Sequence, residues 1–214
     1  RTYMVMARKM GIDVPVRRRR LTAGELEELR RQILNGLDGN TEKTAPLWGW
    51  NFGYDFSSSG YRLHASHQMI HQQYAMAPET VAAPEGDSQL PSFSCGDLVA
   101  DTVERYAKEF ASDFFSDLLL AVRNNTRTDL GPGEADLAVW EDAQVLLFVP
   151  KAQVSQWELQ LLVTADAPGG PVGNILEADR EVRQSIDRAI LAVQQIYAGL
   201  NARMVTSIEF GKRI

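Results

Sequence analysis

Hydrophobic residues recur at helical spacing in the segment LTAGELEELRRQILNGL, from Leu21 to Leu37. Thr22 is a favourable N-cap residue, and Glu25, three positions later, completes a capping box. The apolar positions that follow lie on one helical face: Leu26, Leu29, Ile33 and Leu37. The pattern therefore predicts an amphipathic helix that begins directly after Thr22.

Two segments further along the chain have the pattern of strands. LWGWNFGYDF is aromatic and alternating over residues 47–56, and the following SSSG is typical of a loop. HASHQMIHQQYAM lacks the capping signals of a helix and ends before Pro78. This pattern predicts a second strand over residues 65–76. We expect these two strands to be antiparallel neighbours, and we expect a second antiparallel pair at 144–150 and 157–163.

The remaining pattern predicts two more helices and a last strand. The segment 95–125 carries six apolar residues on one face of a single long amphipathic helix: Leu98, Val103, Tyr106, Phe110, Phe114 and Leu118. A helix is predicted at about 174–201 and a strand at 203–210, whereas the Pro-, Gly- and Ser-rich residues 80–97 predict a surface connection. Helices and antiparallel strands mix without strict alternation, which favours an α+β fold over a doubly wound one.

Composition narrows the classes of function. Of the 214 residues, 44% are apolar and 23% are charged, as in soluble globular proteins. No apolar run reaches the ~18 residues of a membrane span, so we expect no membrane partner. The net charge of −6 argues against a nucleic-acid partner. The start RTYMVMARKMG lacks the apolar core of a signal peptide, and its first residue, Arg1, suggests a trimmed boundary inside a larger fold.

Cys95 is the single cysteine, so the chain has neither an internal disulfide nor a CxxC zinc motif. Its neighbours in SFSCGD include no cationic group that would activate the thiol. We expect an inert thiol and a cytoplasmic location.

The three histidines, His64, His67 and His71, allow three interpretations. They can be zinc ligands, although their spacing suits a helix better than a strand. They can belong to a polar strand whose imidazoles are simply hydrogen-bonded. On a strand, however, alternate residues share a face, so His67, Met69, His71 and Gln73 would line one side of a cleft.

The segment ASHQMIHQQ resembles the active-site segment of the transferase branch of the histidine-triad superfamily. That branch includes galactose-1-phosphate uridylyltransferases and diadenosine tetraphosphate phosphorylases. Its pattern is a small residue, Ser, two residues, His, one residue, His, one residue and Gln. Ala65 and Ser66 match the first pair, and His71 and Gln73 match the second His and the Gln. Met69 stands where the family has its first His.

A second segment, VPKAQVSQWELQLL, resembles the strand pair that opens the second repeat of the uridylyltransferases. Six residues carry this match: Val149, Pro150, Trp157, Glu158, Leu161 and Leu162. The resemblance implies an antiparallel sheet with packed helices, built from two incomplete repeats in one compact unit. The first repeat would span 1–90, a connecting helix and loop 91–135, and the second repeat 136–214.

The resemblance also implies chemistry on a nucleotide substrate, such as a nucleotide sugar or a dinucleoside polyphosphate. His71 would attack the α-phosphorus and form a covalent nucleotidyl-histidine, since neutral imidazole is both a nucleophile and a leaving group. Gln73 and Ser66 would contact the phosphate. The other substrate-binding candidates are His67, Asn51 and Arg62.

Two departures from the family pattern leave an alternative open. In several uridylyltransferases the histidine replaced here by Met69 helps to bind a structural zinc, and the CxxC ligands are missing too. We therefore expect no metal and no cofactor. The alternative is a noncatalytic nucleotide-binding or protein-interaction module, which the loss of that histidine favours, whereas the retained His-x-Gln favours an enzyme. A homodimer is compatible with either.

Overall fold

The computed structural model describes residues 9–11, 22–37, 43–53, 71–78, 80–93, 95–164, 172–202 and 204–211. It is a mixed α+β structure of helices and small antiparallel sheets, as the sequence predicts. The helices are α1 (Ala23–Leu37), α2 (Cys95–Phe110), α3 (Phe114–Arg123) and α4 (Arg180–Gly199). The strands are β1 (Lys43–Gly53), β2 (His71–Pro78), β3 (Thr80–Ala82), β4 (Gln89–Pro91), β5 (Ala138–Glu141), β6 (Val145–Phe148), β7 (Gln160–Val163) and β8 (Met204–Thr206). None of these helices is long and apolar enough to cross a bilayer.

Helix α1 begins with the predicted capping box. The Thr22 backbone N–H donates to Glu25 Oε2 at 3.0 Å, and the Glu25 N–H donates to Thr22 Oγ1 at 3.3 Å. Each side chain thus satisfies a backbone donor that the first helical turn leaves without a partner. Leu26, the first apolar residue of the predicted stripe, is only 1% exposed.

The first sheet has the strand order β2-β1-β8. β1 and β2 are antiparallel neighbours, which confirms the predicted pairing for the described parts of both segments. Residues 54–70, which include the first part of the predicted second strand, lie outside the described residues. On its other side β1 pairs with β8. Two strands that are about 150 residues apart in the chain are therefore neighbours in this sheet.

The second three-stranded sheet has the order β5-β6-β7, and the predicted antiparallel pair of β6 and β7 is confirmed. The predicted strand 157–163 is shorter than expected, because β7 begins only at Gln160. Trp157 has a left-handed φ of 59°, which no strand residue can keep. Glu158 instead accepts the Val154 N–H at 2.8 Å and holds the preceding loop together. β5 was not predicted.

Strand β6 is buried along its whole length and lies between helices α3 and α4. Val145 belongs to a core cluster with Leu26 of α1 and Val182 and Ile186 of α4. Leu146, on the opposite face, belongs to a second cluster with Val122 of α3 and Phe148 of β6. A strand covered on both faces is expected to be a continuous apolar run rather than an alternating one, as the sequence VLLF is.

The prediction of one long helix over 95–125 is wrong, because two helices form. Helix α2 ends where Ala111 adopts a left-handed φ of 51°. Asp113 then caps α3, since its carboxylate accepts the Ser116 N–H at 2.7 Å. The apolar stripe is not continuous either, since Leu98 and Phe110 are 56% and 57% exposed. An N-cap residue inside a periodic apolar pattern can therefore start a new helix although the apolar period continues.

Helix α4 begins later than the predicted residue 174. Asp179 is its N-cap and accepts the Val182 N–H at 2.8 Å. The residues before it form a turn in which Asn174 Oδ1 accepts the Leu176 N–H at 2.9 Å. An Asn side chain that binds the backbone two residues ahead competes with a helix, which explains the later start.

The Pro-, Gly- and Ser-rich connection is at the surface, as predicted, but it contains the short hairpin β3–β4. Every residue of both strands is exposed.

Candidate functional site

The predicted catalytic residue, His71, is the first residue of β2. In the antiparallel register its partner on β1 is Asn51, and the partner of Gln73 is Gly49. The register runs without a shift from Ala45 to Asn51. Because directly paired residues of an antiparallel sheet share a face, and alternate residues of a strand do too, His71, Gln73 and Asn51 lie on one face.

Strand β8 extends this face across the sheet. On β8, Thr206 pairs with Asn51 and Val205 pairs with Phe52. Val205 is half-buried and packs against the cluster that contains Val145 and Val182. Thr206, its neighbour, points to the opposite side and is exposed. Thr206, which shares a face with Asn51 and His71, is therefore on the side of β8 opposite to this cluster.

Two glycines of β1 fall on the same face. Gly49 and Gly53 stand two positions before and two positions after Asn51. A glycine inside a strand weakens it and often marks a place where a ligand or another backbone approaches closely. β1 therefore carries no side chain at the two positions that flank Asn51 on this face.

The remaining predicted site residues, Ser66, His67 and Arg62, lie outside the described residues, as does His64. Within the described ranges, no three His, Cys, Asp or Glu residues come together in a group that could hold a metal ion. Cys95 is a free, half-buried thiol at the start of α2.

A buried network of charged residues joins α1 to α4. Both side chains of the Arg30–Asp187 pair are 0% exposed. Arg30 Nη1 donates to Asp187 Oδ2 at 3.0 Å, and Arg30 Nη2 donates to the other carboxylate oxygen. Glu27 accepts from Arg30 at 2.9 Å and from Arg183 Nη2 at 3.0 Å. Each helix therefore contributes one acidic and one basic residue, and every ion pair joins opposite charges.

Burial raises the pKa of the Asp187 carboxyl above its ordinary value, and the hydrogen bonds and charge of Arg30 oppose that shift. Sequence patterning did not single out this network. One signal was present: Arg30 stands four positions after Leu26, on the apolar stripe of α1, where a charged residue requires a buried partner. Because its charges compensate one another, we regard the network as structural.

Asp142 is the centre of a second polar cluster, in the turn between β5 and β6. Its Oδ1 accepts the N–H groups of Gln144 and Val145, at 2.9 and 3.1 Å. Its Oδ2 accepts from the Ser185 hydroxyl and from Arg188 Nη2, the latter at 2.9 Å. Burial alone would raise the pKa of Asp142, but these four hydrogen bonds outweigh it and the pKa is lowered. The cluster ties α4 to the β5–β6 turn.

A shallow cleft of about 320 Å³ lies beside the loop that follows α3, and it contains none of the predicted site residues. Arg127 and Lys151 line it together with Asp129, Glu134 and Asp136. Arg127 Nε donates to Asp129 Oδ1 at 2.9 Å, and the three carboxylates of the lining outnumber its two cations. The cleft therefore makes a poor binding site for an anion.

The face of the first sheet that carries Thr206 is thus where the described predicted site residues come together. It combines an imidazole residue, two amide residues and a hydroxyl residue around glycine positions, which suits the binding of a polar, hydrogen-bonding ligand. No protein-family model, curated protein or solved structure matches this chain.

Proposed function

We propose that this chain acts on a nucleotide, as a nucleotidyltransferase, phosphorylase or hydrolase, through a covalent intermediate on His71. The observation that supports this most directly is the unbroken register between β1 and β2. It gives His71, Gln73 and Asn51 a common face of the sheet. A nucleophile and its phosphate-binding partners must meet on such a face before they can share one substrate.

In the proposed first step, a neutral imidazole nitrogen of His71 attacks the α-phosphorus of a nucleotide sugar or a dinucleoside polyphosphate. A phosphorus–nitrogen bond forms and the bond to the bridging oxygen breaks. That oxygen departs with the electron pair as part of the leaving phosphate. In the second step a phosphate group or water attacks the same phosphorus, and His71 leaves with the electrons of the phosphorus–nitrogen bond.

Gln73 and Asn51 are proposed to donate amide hydrogens to the phosphoryl oxygens as negative charge develops there. Donors fixed on a sheet need little reorganisation during the reaction, which is why such groups accelerate phosphoryl and acyl transfer. Ser66 and Arg62 are proposed to contribute a hydroxyl and a positive charge to the same oxygens. His67, at an alternate position before His71, is the rival nucleophile.

The test is intact-mass spectrometry at neutral pH after incubation with UDP-glucose or with diadenosine tetraphosphate. A mass increase equal to a uridylyl or adenylyl group is the expected result. The adduct should be lost in mild acid and survive alkali, as a phosphorus–nitrogen bond does. Absence of an adduct and of turnover with both substrates, from protein that is folded by circular dichroism, contradicts the proposal.

The variant His71→Gly should form no adduct, and added imidazole should partly restore turnover by filling the space. Ala75→Gly is the matched control, because it places the same residue on the same face of β2 without removing a ring. If His67→Gly abolishes the adduct and His71→Gly does not, the nucleophile is His67.

The alternative function is a noncatalytic nucleotide-binding module, and Met69 in place of the family's first His favours it. Calorimetric titration with UMP and AMP separates the two. Binding of a nucleotide without any adduct or turnover would support the alternative.

A further inference from the structure

Strand β8 contributes a residue that extends the face of His71 and Asn51 beyond the predicted set. Thr206 on β8 pairs with Asn51, and Asn51 pairs with His71 on the other side of β1. The three residues therefore form one row across three strands, on one face. Thr206 is exposed, and its hydroxyl is both a donor and an acceptor.

We propose that Thr206 is a substrate-contacting residue that binds the nucleoside part of the nucleotide, an inference that rests on the function proposed above. Neighbouring strands are about 4.8 Å apart, so Thr206 and His71 are separated by roughly 10 Å along this row. Because side chains stand roughly perpendicular to a sheet, a phosphorus atom bonded to His71 would lie above β2, beyond hydrogen-bond reach of Thr206 on β8. The ribose or base of the same nucleotide, laid across β1, lies within reach of the Thr206 hydroxyl.

The segment that follows Thr206 is anchored to the body of the protein. Glu209 Oε1 accepts the backbone N–H of Ile175 at 2.7 Å, and Ile175 is a core residue only 2% exposed. Gly211 is buried against the same place, where an added Cβ would lie 2.9 Å from the Glu209 carboxyl carbon and 3.0 Å from Asn174 Cβ. β8 is a short strand, and this anchor fixes its position beside β1.

Glu209 is thus a positioning residue that acts through Thr206. Glu209→Ala removes the acceptor for Ile175, whereas Glu209→Gln retains an oxygen at that position. The alanine variant should weaken nucleotide binding and the glutamine variant should largely restore it.

The decisive variant is Thr206→Val, which removes the hydroxyl and keeps a β-branched side chain suited to a strand. The matched control is Thr80→Val on the exposed strand β3. Binding is measured by calorimetric titration with UMP, AMP and inorganic pyrophosphate. Thr206→Val should weaken the binding of whichever nucleotide the wild type prefers by about fivefold to tenfold, the loss expected for one hydrogen bond. Pyrophosphate has no nucleoside, so its affinity should not change.

The outcomes separate the two proposals. Equal nucleotide affinity in Thr206→Val, Thr80→Val and the wild type overturns the role of Thr206, while an adduct on His71 would still support the proposed reaction. An equal loss of affinity for nucleotide and pyrophosphate also overturns it, because that result indicates a distorted sheet. If the wild type binds neither nucleotide and forms no adduct, both proposals fail together.

Discussion

Arg30 and Asp187 are 157 positions apart in the chain and form a fully buried, two-pronged ion pair. The pair joins the first described long helix to the last one, and Glu27 and Arg183 extend it towards the surface. The contact between α1 and α4 therefore combines apolar packing around Leu26 with a charge network whose members come from both helices.

Asp187→Leu should destabilise the protein by about 3–5 kcal/mol, because it leaves the Arg30 charge buried without its main partner. The double variant Arg30→Met/Asp187→Leu should recover most of that loss, since neither charge then remains in the core. Urea unfolding followed by circular dichroism measures both. A double variant less stable than the single one would contradict this account of the pair.

Ala111→Gly should stabilise the protein by about 0.5–1 kcal/mol. The left-handed backbone at this position, with a φ of 51°, is costly for alanine and free of strain for glycine. The Ala111 N–H closes the end of α2 by donating to the Ala107 carbonyl at 3.0 Å, an arrangement in which glycine is favoured.

The same substitution inside the helix provides the control for Ala111→Gly. Ala100→Gly, within α2, should destabilise the protein by about 1 kcal/mol, since glycine is a poor residue in a helix interior. Thermal unfolding of both variants measures these opposite changes in stability. Destabilisation by both variants would show that the position of Ala111 does not favour glycine.

Asp142→Asn should cost about 1.5–3 kcal/mol at pH 7, the range for hydrogen bonds to a charged group. The folded-state pKa of Asp142 is lowered, so its stabilising contribution is present above the unfolded-state pKa and is lost as the pH falls through the folded-state value. The difference between wild type and variant should therefore shrink below about pH 4. Urea unfolding at pH 7, 5 and 3 measures it, and a constant difference would contradict the ionised role.

Gln73→Met should slow formation of the nucleotidyl adduct by about 100-fold, the effect of removing one donor that stabilises developing charge. Methionine is close to glutamine in size, so the strand should be retained. Gln72→Met, the same change one position earlier on the opposite face, is the control and should leave the rate unchanged. Time-resolved mass spectrometry gives both rates. Equal rates in the two variants would remove Gln73 from the proposed site.

Local pattern predicted those features that depend on nearby residues. The Thr22–Glu25 capping box follows from a spacing of three. The antiparallel pair β1–β2 was predicted from the alternating aromatic residues, and the pair β6–β7 from the family resemblance of the segment 149–162. The break between α2 and α3 was missed although its signal is local, because the apolar period continues through it. The break is marked by Asp113, which is the N-cap of α3, and the apolar period alone does not reveal this break.

The long-range partners could not be predicted in the same way. A periodic pattern shows which face of α1 or β1 must be covered, but it does not show which distant segment covers it. The pairing of β8 with β1 and of Arg30 with Asp187 therefore emerged only from the tertiary structure.

The same distinction between local and long-range features applies to the candidate site. Sequence alone determined that His71 and Gln73 share a face, since a strand repeats every two residues. Only the folded register decided that Asn51 and Thr206 extend that face across the sheet, because strand pairing joins residues that are distant in the chain.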